Sequence, residues 1–190
     1  MARFMITIPT LLTLLRMALI PVIVLVFYLP VAGAHLAAAI IFTIAAVTDW
    51  LDGFLARHLQ QHSSFGAFLD PVADKLMVVV ALVMLVAEPS LPFLVVPVAI
   101  IIGREIVISA LREWMAELGA RASVAVSVVG KIKTALQMIA ILVLLAYQPL
   151  LHKAWLWAGV SLLYIAAGLT IWSMIMYLRA AWPQLLAGDQ

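Results

Sequence analysis

The sequence predicts an all-α integral membrane protein with six transmembrane helices. Of its 190 residues, 67% are hydrophobic and 11% are charged, and the mean hydropathy is +1.21, whereas soluble domains average about 25% charged residues. Charges, prolines and polar turns divide the chain into six apolar segments. Each is long enough to cross a hydrocarbon layer of about 30 Å if some tilt is allowed. The segments cover residues 9–29, 34–57, 66–87, 91–115, 127–147 and 153–179.

Each boundary between these segments carries a turn signal made of proline, glycine or a short polar run. In chain order the signals are Pro30 with Gly33, QQHSS at 60–64, EPSLP at 88–92, ELGARAS at 117–123 and QPLLHK at 148–153. Because one span takes about 20 residues, six spans and the turns that connect them account for most of the 190 residues. We therefore expect a single polytopic membrane domain over residues 1–190, with no separate soluble domain.

Basic residues concentrate at one set of helix ends, and this asymmetry predicts the orientation of the chain. With a cytoplasmic N-terminus, the cytoplasmic ends carry Arg3, Arg16, Arg57, Arg112, Arg121, Lys131, Lys133 and Arg179. The opposite face then carries Lys153, while Tyr177 and Trp182 suit the aromatic belt on the cytoplasmic side. Because Lys and Arg are retained on the cytoplasmic side of a membrane, we predict that both termini lie in the cytoplasm.

Four aspartates form a charged patch in an otherwise apolar sequence. Asp49 and Asp52 lie at i and i+3 near the end of the second segment, and Asp70 and Asp74 lie at i and i+4 in the third. Each pair therefore shares one helix face. Charges at membrane depth are costly, so these groups should face a cavity or one another. Four converging carboxylates repel, and hard divalent cations such as Mg²⁺ or Mn²⁺ are the simplest remedy.

Two other interpretations of the four aspartates stay open. In the first, the acids pair with Arg57 and Lys75 and only hold two helices together. That pairing needs one base per acid, and an interhelical polar contact in a membrane contributes only ~0.6 kcal/mol. In the second, the acids line an ion or proton pathway. Such a pathway should place acids through the whole membrane, whereas these cluster at one end.

The residues around the aspartates form a longer pattern. It reads Asp49-x2-Asp52-Gly53-x2-Ala56-Arg57-x8-Gly66-x3-Asp70-x3-Asp74. At every fixed position the chain resembles the signature of the CDP-alcohol phosphotransferase family. The resemblance implies that family's six-helix membrane fold, commonly a homodimer. It also implies its chemistry, in which a hydroxyl group displaces CMP from a CDP-linked lipid or alcohol.

The resemblance further implies a role for each matched residue in the signature at 49–74. The four aspartates would hold two divalent cations, Mg²⁺ or Mn²⁺, and Asp74 would also be the general base that deprotonates the acceptor hydroxyl. The residues expected against the CDP group are Gly53, Ala56, Arg57 and Gly66.

The segments over residues 103–137 carry the candidates for binding the acceptor alcohol. Arg112 shares a helix face with Glu105, and Lys133 shares a face with Gln137. Arginine and lysine near the cytoplasmic end suit an anionic acceptor such as an alcohol phosphate. The candidate ligands of that phosphate are Arg104, Arg112, Lys131 and Lys133. The alternative is that these bases only fix topology and reach toward the lipid headgroups, which stays open above all for Lys131.

The same segments, together with TIPTLLTLLR near the start, resemble one bacterial branch of the family. Its donor is CDP-diacylglycerol and its acceptor is glycerol 3-phosphate. The resemblance implies these two partners, membrane lipids and a second copy of the chain, with no nucleic acid. It also implies a bacterial inner (plasma) membrane, with the active site facing the cytoplasm. The alternatives are another acceptor, as in the phosphatidylserine, phosphatidylinositol phosphate and cardiolipin synthases, and an ion or proton transporter.

Overall fold

The computed structural model describes residues 7–59, 64–117, 128–148 and 153–187. This part of the chain is all-helical, and it confirms the prediction of six helices. They are α1 (Ile8–Phe27), α2 (Ala34–Leu59), α3 (Ser64–Ala87), α4 (Val95–Glu117), α5 (Val128–Leu145) and α6 (Lys153–Ala187).

The ends of the helices follow local sequence signals. Thr7 caps α1, since its side chain accepts a hydrogen bond from the backbone N–H of Thr10, and Pro9 occupies the first turn, where its missing N–H costs no hydrogen bond. Gly33 precedes α2 with a φ of +88°, in the left-handed region that glycine enters freely.

Two helix ends differ from the sequence prediction by more than two residues. The fourth helix begins at Val95 rather than at 91, because residues 88–94 form turns in which the N–H of Leu91 donates to the carbonyl of Glu88 at 3.0 Å and Phe93 takes a φ of +66°. The sixth helix runs on to Ala187, beyond the predicted end at 179.

The helices pack as two groups of three. In one group α1 lies against α2 and α3, and in the other α6 lies against α5 and α4. Contacts of α3 with α4 and α5, and of α2 with α5, join the groups. In the second group Gly159 permits a close approach, since a Cβ atom there would lie 2.8 Å from the side chain of Leu144. The shared core is apolar and includes Phe42, Leu82 and Ile141, each at most 1% exposed.

The outer surface of the bundle is apolar as well. Leu25, Ile106 and Trp172 are each more than 60% exposed, as lipid-facing side chains are and as the surface of a soluble protein rarely is over large areas. Two described helices contain a stretch long and apolar enough to cross a membrane, Thr10–Phe27 and Lys153–Arg179. In α3 and α4 the charged residues of the candidate site interrupt the apolar run.

Candidate functional site

Three of the four predicted aspartates converge at one end of the bundle. Asp49 of α2 and Asp70 and Asp74 of α3 offer carboxylate oxygens that all lie within 4.8 Å of one another. Asp52 follows one turn later in α2, but its side chain lies outside the described residues. The same holds for the predicted CDP contacts in α2, which are Gly53, Ala56 and Arg57. Gly66, in the first turn of α3, is partly buried one turn before Asp70.

A buried arginine lies among these carboxylates. Arg16 of α1 is 1% exposed, and its Nη1 lies 2.8 Å from Oδ1 of Asp49 and 3.6 Å from Oδ1 of Asp70. It also donates a hydrogen bond to Asp74. From the sequence, Arg16 is expected only to contribute to membrane topology. The available signal was its spacing from Thr10 and Thr13, because the three residues share a face of α1 and all are buried.

The interpretation of the acids as ion-pair partners of Arg57 and Lys75 is not supported at Lys75. Its Nζ donates a hydrogen bond to Oγ of Ser109 in α4, at 2.5 Å, and thus turns toward the second helix group. Arg57 lies outside the described side chains. The guanidinium seen against the acids comes instead from α1.

The donor set of the aspartate cluster fits a hard divalent cation. All the ligating atoms are carboxylate oxygens contributed by two helices, the set that Mg²⁺ and Mn²⁺ prefer. Among the described residues, three carboxylates face the single positive charge of Arg16, so negative charge remains in excess. Oδ1 of Asp70 is buried and has no hydrogen-bond partner in the described part of the chain, which leaves it available to a cation.

A cavity of about 250 Å³ adjoins the cluster and lies between α3, α4, α5 and α6. Asp74 forms part of its wall, so this aspartate belongs to both the acid cluster and the cavity. Four basic side chains also line it, namely Lys75, Arg104, Arg112 and Lys133. The volume suits a small water-soluble molecule, since pockets for drug-sized ligands occupy about 300–1,000 Å³.

A partly buried glutamate organises the basic side chains. Oε1 of Glu105 lies 2.9 Å from Nζ of Lys133 and 3.0 Å from Nη1 of Arg104. One carboxylate thus joins α4 to α5 and holds two bases at the cavity wall. Of the two neighbouring lysines, Lys133 is 4% exposed and lines the cavity, whereas Lys131 is exposed on another face of α5 and is absent from the lining.

Tyr177 of α6 completes this wall. The guanidinium carbons of Arg104 and Arg112 lie 5.7 and 5.8 Å from the centre of its ring, within the range of cation–π attraction. The sequence suggested an interfacial aromatic residue here, but Tyr177 is 9% exposed and lines the cavity. No sequence signal separates it from the other aromatic residues of α6.

Together the two parts of the site define a class of protein, a helical membrane protein that brings an acid cluster for cations beside a cavity for a small anion. That combination suits transfer of a phosphorus group between a pyrophosphate donor and a phosphorylated acceptor. Residues 6–175 match the family model of CDP-alcohol phosphatidyltransferase, and the chain therefore belongs to this family, as its signature predicted.

Two relatives illustrate how closely the chain follows particular family members. It is 57% identical over 179 residues to the CDP-diacylglycerol--glycerol-3-phosphate 3-phosphatidyltransferase of Pseudomonas fluorescens, covering 94% of this chain and 91% of the relative. It is also 57% identical over 180 residues to the protein of the same name from Escherichia coli K12, covering 94% and 97% of the two chains. The chain is thus similar to these enzymes over nearly its whole length.

Proposed function

We propose that this protein is a membrane enzyme that transfers the phosphatidyl group of CDP-diacylglycerol to glycerol 3-phosphate. The products are CMP and phosphatidylglycerophosphate, which stays in the membrane. The observation that carries the proposal is the basic cavity with Asp74 in its wall, because it places a site for a small anion directly beside the acid cluster. The names of the 57% identical relatives state the same donor and acceptor.

The acid cluster is the proposed site of the donor's pyrophosphate. Asp49, Asp52, Asp70 and Asp74 would hold two divalent cations, Mg²⁺ or Mn²⁺. Bound cations of this kind neutralise phosphate oxygens and stabilise the departing group. The proposed contacts of the CDP group are Gly53, Ala56, Arg57 and Gly66. This arrangement needs carboxylates from two helices, and the excess negative charge beside Arg16 supports it.

The cavity is the proposed site of the acceptor. Arg104, Arg112 and Lys133 bind its phosphate, since arginine presents paired N–H donors to phosphate oxygens and lysine adds a point charge. Lys131, exposed outside the cavity, is left out of this set. A hydroxyl group of the same acceptor then lies toward Asp74.

The proposed reaction is a direct displacement at phosphorus. The acceptor oxygen forms a bond to the phosphorus that carries the diacylglycerol, and the bond from that phosphorus to the bridging oxygen breaks. CMP departs with the electron pair of that bond, and the carboxylate of Asp74 takes the proton of the attacking hydroxyl. CMP, phosphatidylglycerophosphate and the proton held by Asp74 together account for every atom of the two substrates.

The proposed setting is a bacterial inner (plasma) membrane, crossed six times, with both termini and the site on the cytoplasmic side. The bases of α4 and α5, together with Arg179 of α6, lie at the same end of the bundle as the aspartates, and this supports a cytoplasmic site. The donor lipid stays in the bilayer while the acceptor stays in water, so a site at headgroup depth reaches both. We further propose that the enzyme works as a homodimer.

The experiment that tests this function is CMP release by the purified protein in detergent. We expect release that requires CDP-diacylglycerol, glycerol 3-phosphate and Mg²⁺ together and that stops when EDTA is added. Release with serine or inositol phosphate in place of glycerol 3-phosphate would retain the chemistry and reject the acceptor. Ion flux into proteoliposomes without CMP release under any condition would support a transporter instead.

A further inference from the structure

Gln137 is a buried polar residue of the cavity and has no role in the proposed reaction. It lies on α5, its side chain lines the cavity, and it is 4% exposed. Its amide oxygen, Oε1, is buried and accepts no hydrogen bond from the described residues. A buried amide oxygen without a donor is costly, and such groups in native proteins commonly mark a place for a ligand or water.

Three polar side chains that line the cavity bond to groups other than Gln137. Nζ of Lys133 bonds to Glu105 at 2.9 Å, and Nζ of Lys75 bonds to Ser109 at 2.5 Å. The hydroxyl of Thr134 donates to the carbonyl of Gly130 within α5, at 2.9 Å. None of these bonds reaches Oε1 of Gln137, which therefore stays an acceptor without a partner among the described residues that line the cavity.

The position of Gln137 indicates which part of a ligand it meets. It lies one turn beyond Lys133 on the same face of α5, about 6 Å along the helix axis. Lys133 belongs to the proposed phosphate-binding set, and Asp74, which α3 contributes to the same cavity, is the proposed acceptor of the proton. An acceptor whose phosphate binds Lys133 can therefore place its next polar group one helical turn further along α5, at Gln137.

We infer that Oε1 of Gln137 accepts a hydrogen bond from the middle hydroxyl of the acceptor and thereby selects for a phosphorylated vicinal diol. This inference rests on the proposed function, since it assigns the contact of the acceptor's second hydroxyl within the same cavity. The middle hydroxyl is the donor that Oε1 lacks. An acceptor without it leaves the amide oxygen buried and unpaired, and the site discriminates against that acceptor for this reason.

The test compares acceptors that differ only at the middle carbon. Glycerol 3-phosphate offers a hydroxyl donor there, 3-hydroxypropyl phosphate offers only hydrogen atoms, and dihydroxyacetone phosphate offers a carbonyl that cannot donate. With the wild-type enzyme we expect kcat/KM for CMP release to fall roughly tenfold to hundredfold for each analogue. Equal values for glycerol 3-phosphate and 3-hydroxypropyl phosphate would overturn the inference without any variant.

Substitutions at Gln137 then test whether this residue causes the discrimination between acceptors. Gln137→Met removes the amide at similar volume, and we expect it to lose most of the preference while retaining turnover of 3-hydroxypropyl phosphate. Gln137→Glu keeps an acceptor oxygen and should keep the preference, even if its charge raises KM for every phosphorylated acceptor. Either variant suffices if the other fails to purify as a monodisperse protein. The matched control is Thr134→Val, which removes a cavity hydroxyl already bonded within the helix and should leave the preference unchanged.

The outcomes separate this inference from the proposed function. CMP release with glycerol 3-phosphate, combined with the same preference in wild type and Gln137→Met, would reject Gln137 and retain the enzyme. A preference lost in Gln137→Glu as well as in Gln137→Met would also reject the acceptor role of Oε1. Absence of CMP release by the wild-type protein with all acceptors would reject the proposed function itself.

Discussion

Asp74 is the residue at which the two halves of the site meet. Its carboxylate lies in the acid cluster with Asp49 and Asp70, receives a hydrogen bond from Arg16, and forms part of the cavity wall. A base for the acceptor hydroxyl must lie within hydrogen-bond reach of the acceptor while also facing the donor. Among the described acids of the cluster, Asp74 is the one that lines the cavity.

Removal of the charge at Asp70 tests the cluster as a cation site. We expect Asp70→Asn to lower turnover by about a thousandfold, because a neutral amide is a much poorer ligand for a hard cation than a carboxylate. The protein should still insert and elute as a folded, monodisperse species, because the side chain is 43% exposed and fills no packed core. Size-exclusion profiles and CMP release measure the two effects, with Glu113→Gln as an exposed acid control on α4. Loss of folding together with activity would instead identify Asp70 as a structural residue.

Removal of Arg112 tests the cavity as an acceptor site. We expect Arg112→Ala to raise KM for glycerol 3-phosphate roughly tenfold to hundredfold, the range for a lost hydrogen bond to a charged group, with little change in KM for CDP-diacylglycerol. Steady-state kinetics in both substrates measure the split. Lys131→Ala, which removes an exposed base outside the cavity, is the matched control. An acceptor KM that stays at the wild-type value would remove Arg112 from the binding set.

At the scale of single helices, the first half of α1 buries polar side chains and the second half buries apolar ones. Toward its start it buries Thr10, Thr13 and Arg16, and toward its end it buries Ile23 and other apolar side chains. The polar half lies against the acid cluster of α2 and α3, and Arg16 supplies positive charge that lowers the repulsion among the carboxylates. The helix therefore contributes to assembling the site before any cation binds.

This role of α1 predicts a dependence of stability on Mg²⁺. Arg16→Met leaves the acids without their arginine, so we expect a lower Tm in EDTA than the wild type shows. Added Mg²⁺ should then raise the Tm of the variant by several degrees more than that of the wild type, because a cation that binds the folded state stabilises it. Thermal unfolding in detergent, with and without Mg²⁺, measures this. An equal Mg²⁺-induced shift in both proteins would show that Arg16 does not balance the carboxylates.

The contribution of α6 to the site is the ring of Tyr177 beneath two guanidinium groups. We expect Tyr177→Leu to raise KM for glycerol 3-phosphate about threefold to tenfold, in line with a cation–π attraction of about 0.5–1 kcal/mol or somewhat more, and to spare KM for CDP-diacylglycerol. Tyr177→Phe keeps the ring and should behave as the wild type. A Phe variant as weak as the Leu variant would assign the effect to the hydroxyl group.

At the scale of the whole molecule, the described charged residues of the helices, apart from Lys153, lie toward one end of the bundle. The site lies where α1, α3 and α5 begin and where α2, α4 and α6 end. An even number of helices places both chain ends on that side. If all six span the membrane, one face carries the chemistry and the other carries only turns.

The sequence has no cysteine, so a single cysteine introduced at a chosen position can report the proposed orientation. We expect Lys153→Cys to react with a membrane-impermeant maleimide in intact spheroplasts, because α6 begins on the outer side in the proposed orientation. Arg179→Cys should react only after the membrane is permeabilised. Activity of both variants is the control for correct insertion. The reverse labelling pattern would contradict the N-in, C-in topology.

The fold was largely predictable because the bilayer fixes the length of apolar runs. Six segments became six described helices, and the larger boundary errors arose at residues 88–94, where turns replaced a predicted first helical turn, and at the end of α6, which runs on to Ala187. The convergence of the acids was predictable too, since spacings of three and four place side chains on one helix face. Sequence spacing kept both Lys131 and Lys133 as candidate phosphate ligands, whereas in the structure only Lys133 of the two lines the cavity.

Two residues of the site were beyond prediction for a physical reason. Arg16 contacts an aspartate 58 positions away, and the pairing depends on how α1 packs against α3, which no local spacing specifies. Tyr177 meets arginines of another helix in the same way, and its sequence environment is that of an ordinary membrane aromatic. Charge count alone suggested a missing counter-charge near the aspartates, but not which helix supplies it.

The position of Asp74 in the wall shared by cluster and cavity has a consequence for inhibitor design. Because the two sites adjoin, one soluble molecule that joins a cytidine diphosphate group to a glycerol phosphate group by a short linker can occupy both at once. Its second contact becomes intramolecular, with an effective concentration in the millimolar range for a short linker. Such a compound needs no acyl chains to compete with the lipid, and its optimal linker length would report the distance between the two bound substrates.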